Sequence, residues 1–307
     1  MSAATTDRPR LVAILGPTGV GKSDAAFEIA RRLAGEVVVC DSRQVYDRLD
    51  IATNKPDPER MAAIPYHLVG IADPRGTFNV AEFVPLARAA VEDIWRRGRQ
   101  PVLEGGSMLW ADALLDGFTL GGVPPRPERR AELAAMSVEE LAALVERLDP
   151  DAEVDRRNRP RLVRAIEMLE AAGPPLARLR RRNPPDWDVI RIGLTAGIEV
   201  VEQRLAVRSR RQIERGLLEE TQAALDDGVP AQAPVLTGIG YTEAVACLRG
   251  DLAAEDLLET MIRSNRRYAR RQMRWLRRDD RITWIDTAAQ EPVGRVLEVL
   301  RSRGWWP

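Results

Sequence analysis

The amino-acid sequence predicts an α/β fold: a P-loop NTPase-like parallel sheet flanked by helices, with an all-helical insertion domain. Three observations predict it. The stretch GPTGVGKS (16–23) fits the phosphate-cradling pattern G-x-x-x-x-G-K-[ST] and sits between an apolar run and a helical one. Short β-branched runs then alternate with helical spacing, which implies parallel strands with helices on both faces. A breaker-rich stretch, GGVPPRPER (121–129), leads from this alternation into purely helical patterns.

Each element has its own signal. RLVAIL (10–15) is a buried strand ending at Gly16, and KSDAAFEIARRLA (22–34) puts Ala26, Ile29, Ala30 and Leu33 on one helical face. EVVVCDS (36–42) is a second buried strand, carrying Asp41 at its end, and HLVGIAD (67–73) reads as a third. FNVAEFVPLARAAVEDIWRRG (78–98) is a helix closed by Gly98, and PVLEGGS (101–107) is a strand with a glycine turn. In the insertion, SVEELAALVERL (137–148) has Ser137 at the N-cap and Glu140 at the capping-box position, and RPRLVRAIEMLEAAG (159–173) follows as a helix. VIRIGLTA (189–196) returns to strand. Residues 199–228 read as one long helix, 255–278 as another, and RITWID (281–286) as a last strand. The expected division is a catalytic core of 1–117 plus 186–307 and a helical insertion of 118–185.

Composition bounds the function. The chain has 307 residues and zero formal net charge, so bulk attraction to a polyanion is excluded and only the distribution of charge can serve one. Of 46 basic residues, Lys22 and Lys55 alone are lysines. Arginines cluster in 155–182, 204–215 and 263–281, near Tyr241, Tyr268 and Trp275; arginine beside aromatics suits a nucleic-acid partner. Two distant cysteines suit a reducing compartment rather than a disulfide framework. The polar N-terminus is no signal peptide, and no run is long enough to span a membrane, so a cytoplasmic protein is expected.

The phosphate loop is the strongest chemical signal. The backbone of Gly16, Pro17, Thr18, Gly19, Val20 and Gly21 leads into Lys22 and Ser23, where amides converge on an anion at a helix N-terminus. Lys22 adds a point charge, and the Ser23 hydroxyl is a candidate ligand for Mg²⁺. Asp41, at a strand end beside this loop, is placed to ligate Mg²⁺ or act as a general base. Ser107 presents a hydroxyl after two glycines. These residues establish a phosphate site and leave open whether the phosphate belongs to ATP. The single histidine, His67, reads as a packed residue. Neither a zinc site nor a Ser–His–Asp triad has support.

Taken in order, GPTGVGKS, DSRQVY, IATNKP, YHLVGIADP, EGGSMLW, RPRLVRAIEML, GIGYTEA and RRYARRQMRWLRR resemble the tRNA dimethylallyltransferase (tRNA isopentenyltransferase) family from about residue 10 to about 286. The resemblance implies that the loop holds the diphosphate of dimethylallyl diphosphate. It implies transfer of the prenyl group to N6 of the adenosine just 3′ of the anticodon, in tRNAs reading codons that begin with U, assisted by Mg²⁺. Asp41 would be the base. Ser107 stands where the family usually has threonine, and Arg208 matches an active-site arginine. The tRNA contacts implied are Asp41, Ser42, Arg43 and Gln44; Ser107; Arg130; Pro160, Arg161, Leu162, Val163 and Arg164; and Thr237, Gly238, Ile239, Gly240, Tyr241 and Thr242. The helical insertion would grip the anticodon stem-loop.

There are departures from the family pattern. Arg159 replaces an acid, Trp110 replaces a tyrosine, and the insertion is several residues short. The eukaryotic C-terminal zinc finger is not expected, which points to a bacterial-type enzyme; a monomer is expected. Three rivals stay open on the residues alone: an AMP dimethylallyltransferase, a P-loop kinase of a small metabolite, and an RNA-binding protein with a relic loop.

Overall fold

A computed structural model describes residues 8–118, 123–124, 126–179, 182–289 and 291–306. Parts of the GGVPPRPER stretch and two arginines of the 155–182 cluster lie outside the described residues. In chain order the elements are β1 (Arg10–Leu15), α1 (Lys22–Arg32), β2 (Glu36–Cys40), α2 (Pro58–Ala63), β3 (Tyr66–His67), α3 (Val80–Arg96), β4 (Pro101–Gly105), α4 (Met108–Leu115), α5 (Pro127–Ala134), α6 (Val138–Leu148) and α7 (Arg159–Ala172). They continue with α8 (Leu176–Leu179), β5 (Asp188–Thr195), α9 (Ile198–Glu214), α10 (Leu217–Asp226), α11 (Tyr241–Leu248), a 3₁₀ turn (Ala254–Asp256), α12 (Leu257–Leu276), β6 (Thr283–Asp286) and α13 (Pro292–Ser302).

The six strands form one parallel sheet in the order β3-β2-β4-β1-β5-β6. Its central strands are buried along nearly their whole length, as strands covered on both faces must be. One face packs Val12, Ile14, Val37, Val39, Val102 and Ile192 against Ala26, Ile29 and Ala30 of α1 and Val296 and Leu300 of α13. Burying each of the valine, isoleucine and leucine side chains contributes about 1.5–3 kcal/mol.

The chain divides into two compact units. One runs to Ala111 and resumes at Asp186, and the other is Asp112–Pro185. The second has its own core, in which Leu133, Leu141, Val145, Leu162, Ile166 and Leu169 meet. Ser137 accepts the Glu140 N–H and Glu140 returns to the Ser137 N–H, so the expected capping box forms.

Two elements differ from expectation. The third strand stops at His67, because Leu68 (φ 67°) and Gly70 (φ 62°) take left-handed conformations that end it. Residues 70–72 pair instead with the carbonyls of Gln44 and Val45. The helix expected over 199–228 is two helices, broken at Gly216 (φ 92°), a conformation glycine adopts without a Cβ penalty.

Candidate active site

Sheet register builds the site. Leu15 of β1, Gly105 of β4 and Cys40 of β2 stand in one row. The next residues, Gly16, Gly106 and Asp41, therefore leave the carboxyl edge of the sheet side by side, where open α/β sheets bind ligands. Nothing about a single strand dictates this; the crossover order β2-β4-β1 does.

The phosphate loop closes on itself. Gly19 (φ 82°) and Gly21 (φ 95°) turn its backbone, and a Cβ on Gly19 would stand 3.0 Å from the Leu205 side chain. Lys22 Nζ donates to the Pro17 carbonyl at 2.9 Å. Burial lowers the Lys22 pKa, opposed by the charges of Glu104 and Asp41. Ser23 Oγ donates to Glu104 Oε1 at 2.8 Å. Glu104, at the end of β4, is buried, and that burial raises its pKa against the pull of Lys22. These are hard oxygen donors of the kind Mg²⁺ takes alongside substrate phosphates.

Asp41 turns back on the segment after β2. Its Oδ1 accepts the Arg43 N–H at 2.8 Å and the Gln44 N–H at 3.4 Å. Burial pushes its carboxyl up, and the two amides and Lys22 counter that in part. Ser107 Oγ accepts the Ser42 N–H at 2.9 Å and pairs with Ser42 Oγ at 3.2 Å. Arg208 donates to Asn265 Oδ1 at 3.0 Å. Burial brings the Arg208 pKa down to about 10, and the charge of Asp41 acts the other way. Arg208 Nε and Gln44 Oε1 are buried without a hydrogen-bond partner among the described residues. Both residues lie beside Asp41, whose Oδ1 accepts the Gln44 N–H and whose charge acts on Arg208.

The GIGYTEA stretch joins the same region. Arg43 donates to Thr237 Oγ1 at 3.3 Å, and Gly238 lies against the Arg43 side chain. Gly240 (φ 98°) has room for no Cβ beside Ala52. Thr237 and Thr242 are exposed, Gly238 and Ile239 half-buried. Tyr241 is turned into the interior, where its hydroxyl meets Glu220 Oε1 at 2.5 Å and the Ala52 N–H at 3.3 Å. Its side chain faces protein, not solvent.

In the helical unit, Pro160 and Arg161 are exposed and Val163 is half-buried, while Leu162 is fully buried in the core. Arg130 donates to the buried carboxylate of Glu167 at 2.8 and 2.9 Å, and Arg164 reaches Glu167 and the Val123 carbonyl. Arg159 donates to the carbonyls of Leu133, Ala134 and Met136, capping the C-terminus of α5. Trp110 stacks on Phe83 with ring centroids 4.6 Å apart. His67 pairs with the buried Glu36, at the opposite end of β2 from Asp41.

Sequence reasoning missed several supports of the site. Gln212, next to the buried Ser209 on α9, and Asn265 and Gln272 on α12 are buried polar side chains in registers shared with buried apolar ones. A polar residue in a core-facing register was the available signal.

The IPP transferase family model matches residues 44–279. The chain is 39% identical to a tRNA dimethylallyltransferase of Thermomicrobium roseum over 91% of its length and 87% of the relative's. It is 36% identical to that of Corynebacterium jeikeium over 98% of each. It is similar in structure to a tRNA isopentenylpyrophosphate transferase of Bacillus halodurans, with TM-score 0.73 and 33% identity over 97% and 96% of the two chains. It is also similar to a eukaryotic dimethylallyltransferase acting on tRNA, with TM-score 0.77 and 25% identity over 90% of this chain and 73% of that one. Full-length likeness in both sequence and fold, joined to a phosphate loop set beside Asp41 and Ser107, shows that this chain belongs to the tRNA dimethylallyltransferase family.

Proposed function

We propose that the protein transfers the dimethylallyl group of dimethylallyl diphosphate to N6 of the adenosine just 3′ of the anticodon, in tRNAs reading codons that begin with U. The observation that carries this reading is the register row that sets Asp41 beside the phosphate loop. A diphosphate on the loop then has a carboxylate at hand, which a pure phosphate carrier does not need.

The exocyclic amine of adenine is a poor nucleophile, because its lone pair is delocalised into the ring. As N6 bonds to the allylic carbon, the carbon–oxygen bond breaks and its electron pair leaves with the diphosphate. The amine proton passes to Asp41, whose raised pKa makes it a stronger base. The loop amides of Gly19 to Ser23, Lys22 and Arg208 oppose the charge growing on the leaving group. Arg208 has a buried Nε donor to offer it, without a partner among the described residues. Mg²⁺, held by Ser23 with Glu104 beside it, would supply further neutralisation of that charge.

An adenosine inside a stacked loop cannot reach Asp41, so the base must be flipped out. Ser42, Arg43, Gln44, Ser107 and Thr237 to Thr242 are the contacts we assign at the reacting end, with Tyr241 acting through its backbone. Residues 118–185 would hold the anticodon stem through Arg130 and Pro160 to Arg164, Leu162 again through backbone. Both cysteines are free, which suits the cytoplasm. Among the described residues no helix is long and apolar enough to cross a membrane. We assign a monomer.

The test is transfer of labelled dimethylallyl groups to an anticodon stem-loop reading a U-initial codon, to AMP, and to no acceptor, with ATP hydrolysis followed in parallel. Label on the stem-loop, lost in Asp41→Ala, supports the reading. Label on AMP alone, or ATP consumption without label, overturns it.

A further inference from the structure

One side chain of α12 touches both halves of the site. Gln272 Oε1 accepts the Thr18 N–H of the phosphate loop at 2.8 Å, and its Nε2 donates to the Gly106 carbonyl at 2.8 Å. Gln272 is 1% exposed. An amide is the side chain that offers one acceptor and one donor at this reach. The contact is tight on the far side too: a Cβ on Gly106 would stand 2.8 Å from Gln272 Nε2 and 3.6 Å from Lys22 Nζ. Tyr268, one turn earlier on α12, reaches the same Gly106 carbonyl at 3.4 Å. Gly106 is followed by Ser107, whose hydroxyl holds Ser42, the residue after Asp41.

We propose that Gln272 is a positioning residue that clamps the phosphate loop to the Gly106–Ser107 turn, and so fixes the distance between a bound diphosphate and the Asp41 carboxylate. The proposal rests on the function proposed above only for its turnover readout. Two loops that leave adjacent strands can each flex on their own. A single buried amide bonded to both couples them, because moving either one breaks a hydrogen bond and leaves a polar atom of a buried side chain without its partner. The same geometry explains why position 106 is glycine although its backbone needs no positive φ: the space of its Cβ belongs to the clamp.

The test compares wild type with Gln272→Ala, Gln272→Glu and Gly106→Ala, and with the Gly106→Ala/Gln272→Ala double variant. Binding of inorganic pyrophosphate is measured by calorimetry and transfer to the stem-loop by steady-state kinetics. Gln272→Ala is expected to weaken pyrophosphate about tenfold, the loss of about one net hydrogen bond, and to lower kcat further while the KM for RNA stays within about twofold. Gln272→Glu keeps the Thr18 contact but sets a carboxylate against the Gly106 carbonyl. It guards against a folding failure of the alanine variant and is expected to show the same split. Gly106→Ala is expected to impair the wild type yet add little to Gln272→Ala, since the two changes strike one contact. Pyrophosphate affinity and kcat unchanged in both Gln272 variants, or losses that add in the double variant, would overturn the clamp. If wild type binds pyrophosphate but transfers no label, the proposed function fails, and the binding arm still decides the clamp.

Discussion

The Ser107 hydroxyl accepts the backbone N–H of Ser42 at 2.9 Å, so the turn after β4 holds the turn that carries Asp41. Ser107→Ala leaves that amide with one partner fewer in a largely buried setting. We expect kcat to fall about tenfold, with a stability loss of about 1 kcal/mol. Ser107→Thr keeps the hydroxyl and is expected to stay within about threefold of wild type. Single-turnover transfer with the three proteins checks this, and an alanine variant as fast as wild type would remove Ser107 from the machinery.

Asp41→Asn preserves shape and an acceptor for the Arg43 amide but removes the carboxylate proposed as the base. Transfer should drop by about 10²–10⁴-fold, the usual worth of general base catalysis, while stem-loop binding persists. Burial raises the wild-type carboxyl pKa, so kcat/KM should fall on its acid side above the usual aspartate range. The pH profile of wild type carries that limb; the residual activity of Asp41→Asn should lack it.

Much of this fold was legible because its signals are local. GPTGVGKS announces strand, loop and helix within a few residues, and the Ser137–Glu140 capping box lies within one turn. The break at Gly216 was not legible, since a glycine within a helical pattern costs only about 1 kcal/mol and often passes. The early end of β3 turns on Leu68 in a left-handed conformation, which its side chain does not advertise. In the site, the phosphate loop and Asp41 stand out by motif and strand-end position. Gln272 does not, because its two partners, Thr18 and Gly106, lie 254 and 166 residues away in the chain. Such a bond exists only once the helix has packed.

Glu36 gives a stability test independent of catalysis. Hydrogen bonds from Arg97 hold its carboxyl at about 2, against 4.5 for a free glutamate, with a smaller contribution from His67. A depressed pKa stabilises the fold above the unfolded value and loses that contribution as pH falls from about 4.5 through about 2. Urea melts should show this loss in wild type. Glu36→Gln should be less stable at pH 7 by about 1–3 kcal/mol and flatter across the acid window. Parallel curves for the two proteins would assign the acid loss to other groups.

Arg130 and Arg161 allow a structural role for an arginine to be tested against the proposed role in RNA contact. Arg130 is 47% exposed, but two of its nitrogens are bound to the fully buried Glu167, while Arg161 is exposed with no acidic partner among the described residues. Arg161→Ala should weaken stem-loop binding several-fold and reduce the salt slope by about one phosphate, without moving the melting temperature. Arg130→Ala should do more than that. Among the described residues it leaves the buried Glu167 with Arg164 and the Arg126 amide to hold its charge, so a stability loss of up to about 3 kcal/mol should accompany any loss of affinity. Melting curves and salt-dependent binding on the same preparations decide between the two roles. A variant at 130 that melts like wild type yet loses a phosphate from the salt slope would make Arg130 a pure RNA contact. One that melts early and keeps the slope would make it a strut for Glu167.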